Sequence, residues 1–298
     1  MRMRRLLIRS LATAGIIVYL TTTAAADPVV FSTGNPNGLI ATLSRPPGAG
    51  GLETETADDF ILGQNALISG ATFIGLLPSG ASLTSVTDIE IELYHVFPVD
   101  STNPPDGRVV TRTNSPSDNQ FAAFDSGLGS LLFTATILNP SFTAANSVVN
   151  GINAAPNQFT GGEGPVTGEE VQFNITFMTP FFVGAADHDF FRPEVGLTSG
   201  NFLWLSAPKP IVSPGTAFQF PGGSTTDLQS WIRNDGTGAL APDWERIGTD
   251  VTHQGPFNAA FSLVGTVVPE PSNEARLGVA FVALALVWRR FRSKLAAL

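Results

Sequence analysis

The chain has 298 residues with no cysteine, 30 glycines, 22 prolines, 22 phenylalanines and a formal net charge of -9. This length accommodates one large or two small domains and a core that needs no disulfide staples, while the missing thiols exclude cysteine nucleophiles and cysteine metal sites. Between Asp27 and Val268, 23 acidic residues stand against 7 basic ones, so the body repels phosphate backbones and nucleic-acid binding is excluded as its role.

In chain order, Arg2, Arg4, Arg5 and Arg9 precede the apolar run LATAGIIVYL and the small-residue stretch TTTAAA. These three parts predict a secretory signal peptide, read as a helix over residues 1–26, with cleavage after Ala26 and Asp27 as the mature start. The body, residues 27–267, alternates with period two. Ile89, Ile91, Leu93 and Phe97 share one face of a segment whose other face carries Asp88, Glu90 and Glu92. Leu131, Phe133, Ala135 and Ile137 repeat the pattern, as do Val171, Phe173, Ile175 and Phe177. Each reads as a half-buried antiparallel strand with one wet face.

Phe202 to Leu205 is apolar on both faces and predicts a central strand. The pattern allows one short helix, near Thr226 to Ile232, with Thr225 or Thr226 as N-cap. A last strand carries Phe257, Phe261, Leu263 and Val267. Turn clusters such as Asn103-Pro104-Pro105-Asp106-Gly107 and Gly161-Gly162-Glu163-Gly164 punctuate these runs. Together they predict an all-β fold, an antiparallel β-sandwich of jelly-roll-like kind.

Residues 268–298 have a different grammar. Val268-Pro269-Glu270-Pro271-Ser272 is followed by an apolar run from Leu277 to Trp288, then by Arg289, Arg290, Arg292 and Lys294. This order resembles the PEP-CTERM sorting signal of Gram-negative bacteria. The resemblance implies export, a short C-terminal transmembrane helix, and processing near Pro269, Glu270 and Pro271 by a membrane-embedded exosortase. The basic cluster would hold the helix end on the cytoplasmic side. This copy departs from the family by interposing Asn273-Glu274-Ala275-Arg276. Its uninterrupted apolar run is 12 residues, about 18 Å as a helix, against a hydrocarbon core of roughly 30 Å. The segments Phe190–Val195, Phe202–Pro208 and Pro242–Asp250 are also similar to stretches of other exported proteins carrying this tag, and imply no activity.

No local motif specifies catalysis. Asp187-His188-Asp189, with Arg192 and Glu194 close behind, is the richest polar cluster, and a hydrolase would draw on Asp187, His188 and Glu194; the same residues also suit a polar turn. His95 falls on an apolar strand face and reads as a satisfied histidine. Calcium is the better metal expectation, with Asp58, Asp59, Asp187, Asp189 and Asp235 as loop carboxylates, although none has EF-hand spacing. Trp231 and Trp244 are candidates for a sugar-stacking platform, whereas Trp204 reads as core. The sequence therefore predicts a non-enzymatic structural or adhesive protein of the cell surface or extracellular matrix. Its expected partners are an exosortase, the membrane and extracellular polysaccharide. The alternative is a calcium-assisted carbohydrate-binding module.

Overall fold

Apolar–polar alternation organises the chain in the computed structural model, which describes residues 27–48, 52–101, 114–149, 161–208, 229–235 and 244–269. The expected signal peptide, Glu270, Pro271, the Leu277–Trp288 segment and the basic cluster Arg289, Arg290, Arg292 and Lys294 lie outside these residues. Among the described residues, no helix is long and apolar enough to cross a membrane.

The strands are β1 (Val29–Ser32), β2 (Ile40–Leu43), β3 (Glu53–Ile61), β4 (Ala66–Pro78) and β5 (Val86–Val96). They continue with β6 (Pro116–Asp125), β7 (Leu131–Ala144), β8 (Asn146–Val148), β9 (Val166–Val183) and β10 (His188–Leu197). The last five are β11 (Leu203–Ala207), β12 (Trp231–Asp235), β13 (Glu245–Arg246), β14 (Asn258–Ala259) and β15 (Phe261–Val267). A 3-10 turn at Leu83–Ser85 and a π-helical turn at Ile247–Val251 are the described helical elements.

Two sheets result. One has nine strands and the other six, in the order β13-β12-β3-β10-β5-β6. Strand β4 is the spine of the larger sheet. One of its edges pairs with β9 along nearly its whole length, and β9 carries β7 outside it. Its other edge is shared: β15 occupies Ala66 to Phe73, and β11 takes over at Gly75 and Leu76. The chain crosses between sheets at β3–β4–β5 and again at β9–β10–β11–β12.

The two sheets share a core built on phenylalanine. Phe31, Phe73, Phe173 and Phe261 of the larger sheet meet Phe60 and Phe191 of the smaller one, all without solvent exposure beyond a trace. Phe191 stacks on Phe261 with centroids 5.0 Å apart, and Phe31 lies 5.8 Å from Phe60. Each such pair adds about 0.5–1.5 kcal/mol beyond the area it buries. Gly75 has no side chain because there is no room for one: a Cβ there would stand 2.2 Å from Phe202 Cε2 and 2.5 Å from the Leu203 carbonyl oxygen.

Three expectations are corrected. Trp231 and Ile232 belong to β12, not to a helix, because pairing with β3 and β13 overrides the local cap pattern. The last predicted strand is broken at Ala260: β14 turns to β11, β15 to β4, and Phe257 packs in a separate cluster with Ile232 and Ile247. Glu92 does not lie on a wet face. It is buried, paired with Arg192 of β10 on the outer face of the smaller sheet.

Candidate functional site

Register on the smaller sheet builds an unusual charged layer. Residues directly opposite one another share a face, and the pairs Arg233↔Glu55, Arg192↔Glu92, Glu194↔Glu90 and Phe190↔Tyr94 all fall on the side away from the common core. Four strands thus bring five carboxyl groups (Glu53, Glu55, Glu90, Glu92 and Glu194) around two guanidiniums. Arg192, Arg233, Glu55, Glu92 and Glu194 are all buried.

Arg192 is the hub. Its Nη2 lies 2.8 Å from Glu92 Oε2 and 3.3 Å from Glu53 Oε1, and also contacts Glu55 Oε1. Its Nη1 is 2.8 Å from Glu194 Oε2. That approach is close enough for an ion pair, yet its direction does not satisfy hydrogen-bond geometry, and neither Glu194 oxygen has a hydrogen-bond donor. Arg233 grips Glu55 through Nε and through Nη2 at 3.1 Å, and donates from Nη2 to the Tyr94 hydroxyl at 3.3 Å. The Tyr94 hydroxyl in turn lies 3.1 Å from Glu55 Oε1 and against Glu92 Oε2, with one proton to give. Above this layer the Arg233 guanidinium sits 4.6 Å from the centre of the Trp244 ring and 5.6 Å from that of Tyr94.

Burial dominates the proton chemistry. It pushes Glu194 up to about 8, although Arg192 pulls the other way. Glu90 rises to about 7, again through burial first, with Arg192 opposing. Arg192 is held protonated: burial works against its charge, but Glu194 and its other neighbours more than offset this. Burial thus favours the protonated form at Glu194 and, more weakly, at Glu90, which reduces the excess of negative charge gathered around two arginines.

The sequence-predicted residues are dispersed by strand alternation. Asp58 faces the common core, where Oδ1 accepts from Ser230 Oγ at 2.7 Å and Oδ2 from the Ala259 amide at 3.0 Å. Asp59 faces outward, 3.0 Å from His188 Nε2. Asp187 sits in the turn before β10 and accepts from the Gly184 amide. Asp189 is paired to His95 Nδ1 at 2.8 Å, and His95 stacks on Phe121 at 4.1 Å. Burial raises the Asp189 carboxyl, with the His95 hydrogen bond opposing. Asp235 lies on β12 opposite Glu53. His188 and Asp189 are strand residues, not turn residues, so they point to opposite faces.

The chemical consequences are direct. Among the described residues, no group of three or more His, Asp or Glu side chains converges on a metal position. Of the carboxylates expected to hold calcium, Asp58, Asp59, Asp187 and Asp189 do not form one site. His188 and Glu194 share a face but are six residues apart, about 20 Å along the strand, so they do not form a hydrolytic pair. Trp231 and Trp244 are both fully buried, and neither offers a ring face to a sugar. A cleft of about 510 Å³, lined by Arg45, Thr87, Gly196 and Ser199 among others, has no carboxylate or imidazole in its described lining. Arg45 is committed there to Asn201 Oδ1 at 2.6 Å and the Leu52 carbonyl at 3.3 Å.

Sequence reasoning missed Glu55, Arg233 and Tyr94 as members of the charged layer. The polar side of β5 was the available signal, but its partners lie far away in sequence. No family model, curated protein or solved structure matches the chain.

Proposed function

We propose that this chain is an exported cell-envelope or extracellular-matrix protein, structural or adhesive in role, which an exosortase sorts through residues 268–298. In this reading the two sheets form a β-sandwich of jelly-roll-like kind, supported by the repeated crossing of the chain between them. The basic N-terminus with its small-residue run and the Pro269-Glu270-Pro271 tag supply the addresses.

The observation that carries the proposal is where the body's two ends meet. β1 pairs with β15, and the Gly265 amide donates to the Pro28 carbonyl at 3.0 Å. Asp27, the expected mature start, accepts from Ser69 Oγ at 2.5 Å and from Thr266 Oγ1 at 3.4 Å. The Val268 amide is tied to the Asn65 carbonyl at 2.8 Å, immediately before the Pro-Glu-Pro tripeptide. Both addresses thus attach at one corner of a body whose end strands are locked together. Arg192, Glu55 and Glu194 at the centre of the charged layer are buried, and the described lining of the cleft holds no carboxylate or imidazole, which favours a structural role over catalysis.

Mass spectrometry of the mature protein from its host tests this reading. The expected chain begins at Asp27 and ends near Pro271. A chain still ending at Leu298 would overturn it. Arg276→Leu extends the apolar run, and the expected result is faster processing.

A further inference from the structure

We propose that β7 is a docking edge for a second copy of this chain, joined antiparallel about a two-fold axis at Thr134. Among the described residues its strand partner is β9 alone, so its other side is the open margin of the nine-stranded sheet. Open edges are usually blunted by short length, bulges, proline or charge. The other margins follow that rule. β1 has 4 residues, β8 has 3 and β13 has 2. β6 starts at Pro116, carries Asp118 and Asp125, and breaks register twice against β5.

β7 has none of these protections over its first half. Its pairing with β9 runs unbroken from Leu131 to Ile137, and register shifts appear only beyond. Leu132, Ile137 and Leu138 are exposed there, Leu132 by 60%. Charge selects the occupant. The body carries 23 acidic against 7 basic residues, so two copies repel over most of their surface; yet no charged residue occurs between Asp125 and Glu163, or between Glu170 and Asp187. From Leu131 to Ile137, β7 and the facing part of β9 (Val171 to Phe177) carry no charge, so two acidic copies can meet there without opposing charge, and an isologous contact presents the same neutral surface from both sides.

The unbroken run Leu131–Ile137 is centred on Thr134, and ladder phase sets how two copies pair about that point. The Met178 amide donates to the Ser130 carbonyl at 2.9 Å. Antiparallel pairs alternate, so Leu132, Thr134 and Thr136 turn their backbone groups toward β9, and Leu131, Phe133, Ala135 and Ile137 turn theirs to the open side. A two-fold at Thr134 then sets Leu131 opposite Ile137 and Phe133 opposite Ala135 as hydrogen-bonded pairs. Thr134 faces its own copy as a non-hydrogen-bonded pair, with Cα atoms about 4.5 Å apart.

That spacing lies within disulfide range, and the chain contains no other cysteine, so Thr134→Cys in the full purified chain is a clean probe. Thr84→Cys, in the exposed turn before β5, is the control. On air oxidation, Thr134→Cys is expected to give a covalent dimer and Thr84→Cys to remain largely uncrosslinked. Sedimentation of Thr134→Lys, which sets like charges face to face, is expected to show self-association weakened about tenfold with unchanged circular dichroism. Equal cross-linking of the two cysteine variants would overturn the proposal, as would unaltered association of Thr134→Lys. Assemblies larger than a dimer would overturn the closed two-fold arrangement. The inference rests on the body and not on the sorting tag: association driven by the C-terminal apolar run would leave both variants like the parent.

Discussion

Arg192 Nη1 stands 2.8 Å from Glu194 Oε2 on one face of β10, and neither side chain reaches water. Burial nonetheless pushes Glu194 up to about 8. The folded chain therefore holds a proton on this carboxyl that the unfolded chain releases near the ordinary glutamate value, about 4.3. Between those two pH values the native state binds more protons, so stability falls as pH rises and levels off above about 8. The loss is on the order of a few kcal/mol across that window, with a smaller contribution in the same direction from half-buried Glu90. Urea unfolding as a function of pH measures the slope. Glu194→Gln, which keeps the shape and removes the ionisation, is expected to flatten it and to be the more stable protein at pH 8. A slope unchanged by this substitution would contradict the assignment.

Glu55 is shared by Arg192 and Arg233, and is itself buried. Replacing one member of a buried ion pair leaves its partner's charge uncompensated, which costs about 3–5 kcal/mol. Glu55→Ala is expected to lose stability in that range by chemical denaturation. Glu53→Ala, at the better-exposed margin of the same layer, should lose much less.

The strand faces were legible in the sequence because period-two alternation is a local signal. Ile89, Ile91 and Leu93 do face the core, as do Leu131, Val171, Phe173 and Leu263, and the doubly apolar Phe202–Leu205 run does become a buried strand between β4 and β2. Alternation tells which side a residue is on, but not whether another layer covers that side. Alternation alone therefore predicts a wet Glu92. The charged layer was invisible for a related reason: Arg233 and Glu55 are 178 residues apart, and only the β12–β3 register joins them. Trp231 departs from the helix its neighbours predict because a cap pattern is local and sheet pairing is not. The adjacent acids Asp58 and Asp59 looked like one site, yet a strand sends neighbours to opposite faces.

Asp58 follows from that alternation. Its inward carboxylate ties Ser230, just before β12 in the smaller sheet, to the Ala259 amide of the larger one. Asp58→Ala orphans a buried amide and a buried hydroxyl, at about 1–3 kcal/mol for each group left without a partner. Asp58→Asn retains one acceptor and should recover part of the loss. Because the carboxylate holds the two sheets together, hydrogen exchange at the Ala259 amide is expected to accelerate in both variants, most in the alanine one.

The packing of β4 against β11 supplies the last test. Gly75 lies opposite Trp204, and the site of its absent Cβ is filled by Phe202 and the Leu203 carbonyl. Phe202 cannot yield easily, since its ring is wedged edge-on between Phe73 and Phe173, each with its centroid 5.7 Å away. An added methyl must displace a ring or push β11 away from β4. Overpacking of this kind costs about 1–3 kcal/mol or somewhat more. Gly75→Ala is thus expected to destabilise the fold, whereas glycine-to-alanine at a strand position with free space should not. Pairing it with Phe202→Leu separates steric conflict from a loss of backbone freedom. If the clash is the cause, the two substitutions together cost less than the sum of their separate effects, and strict additivity would contradict it.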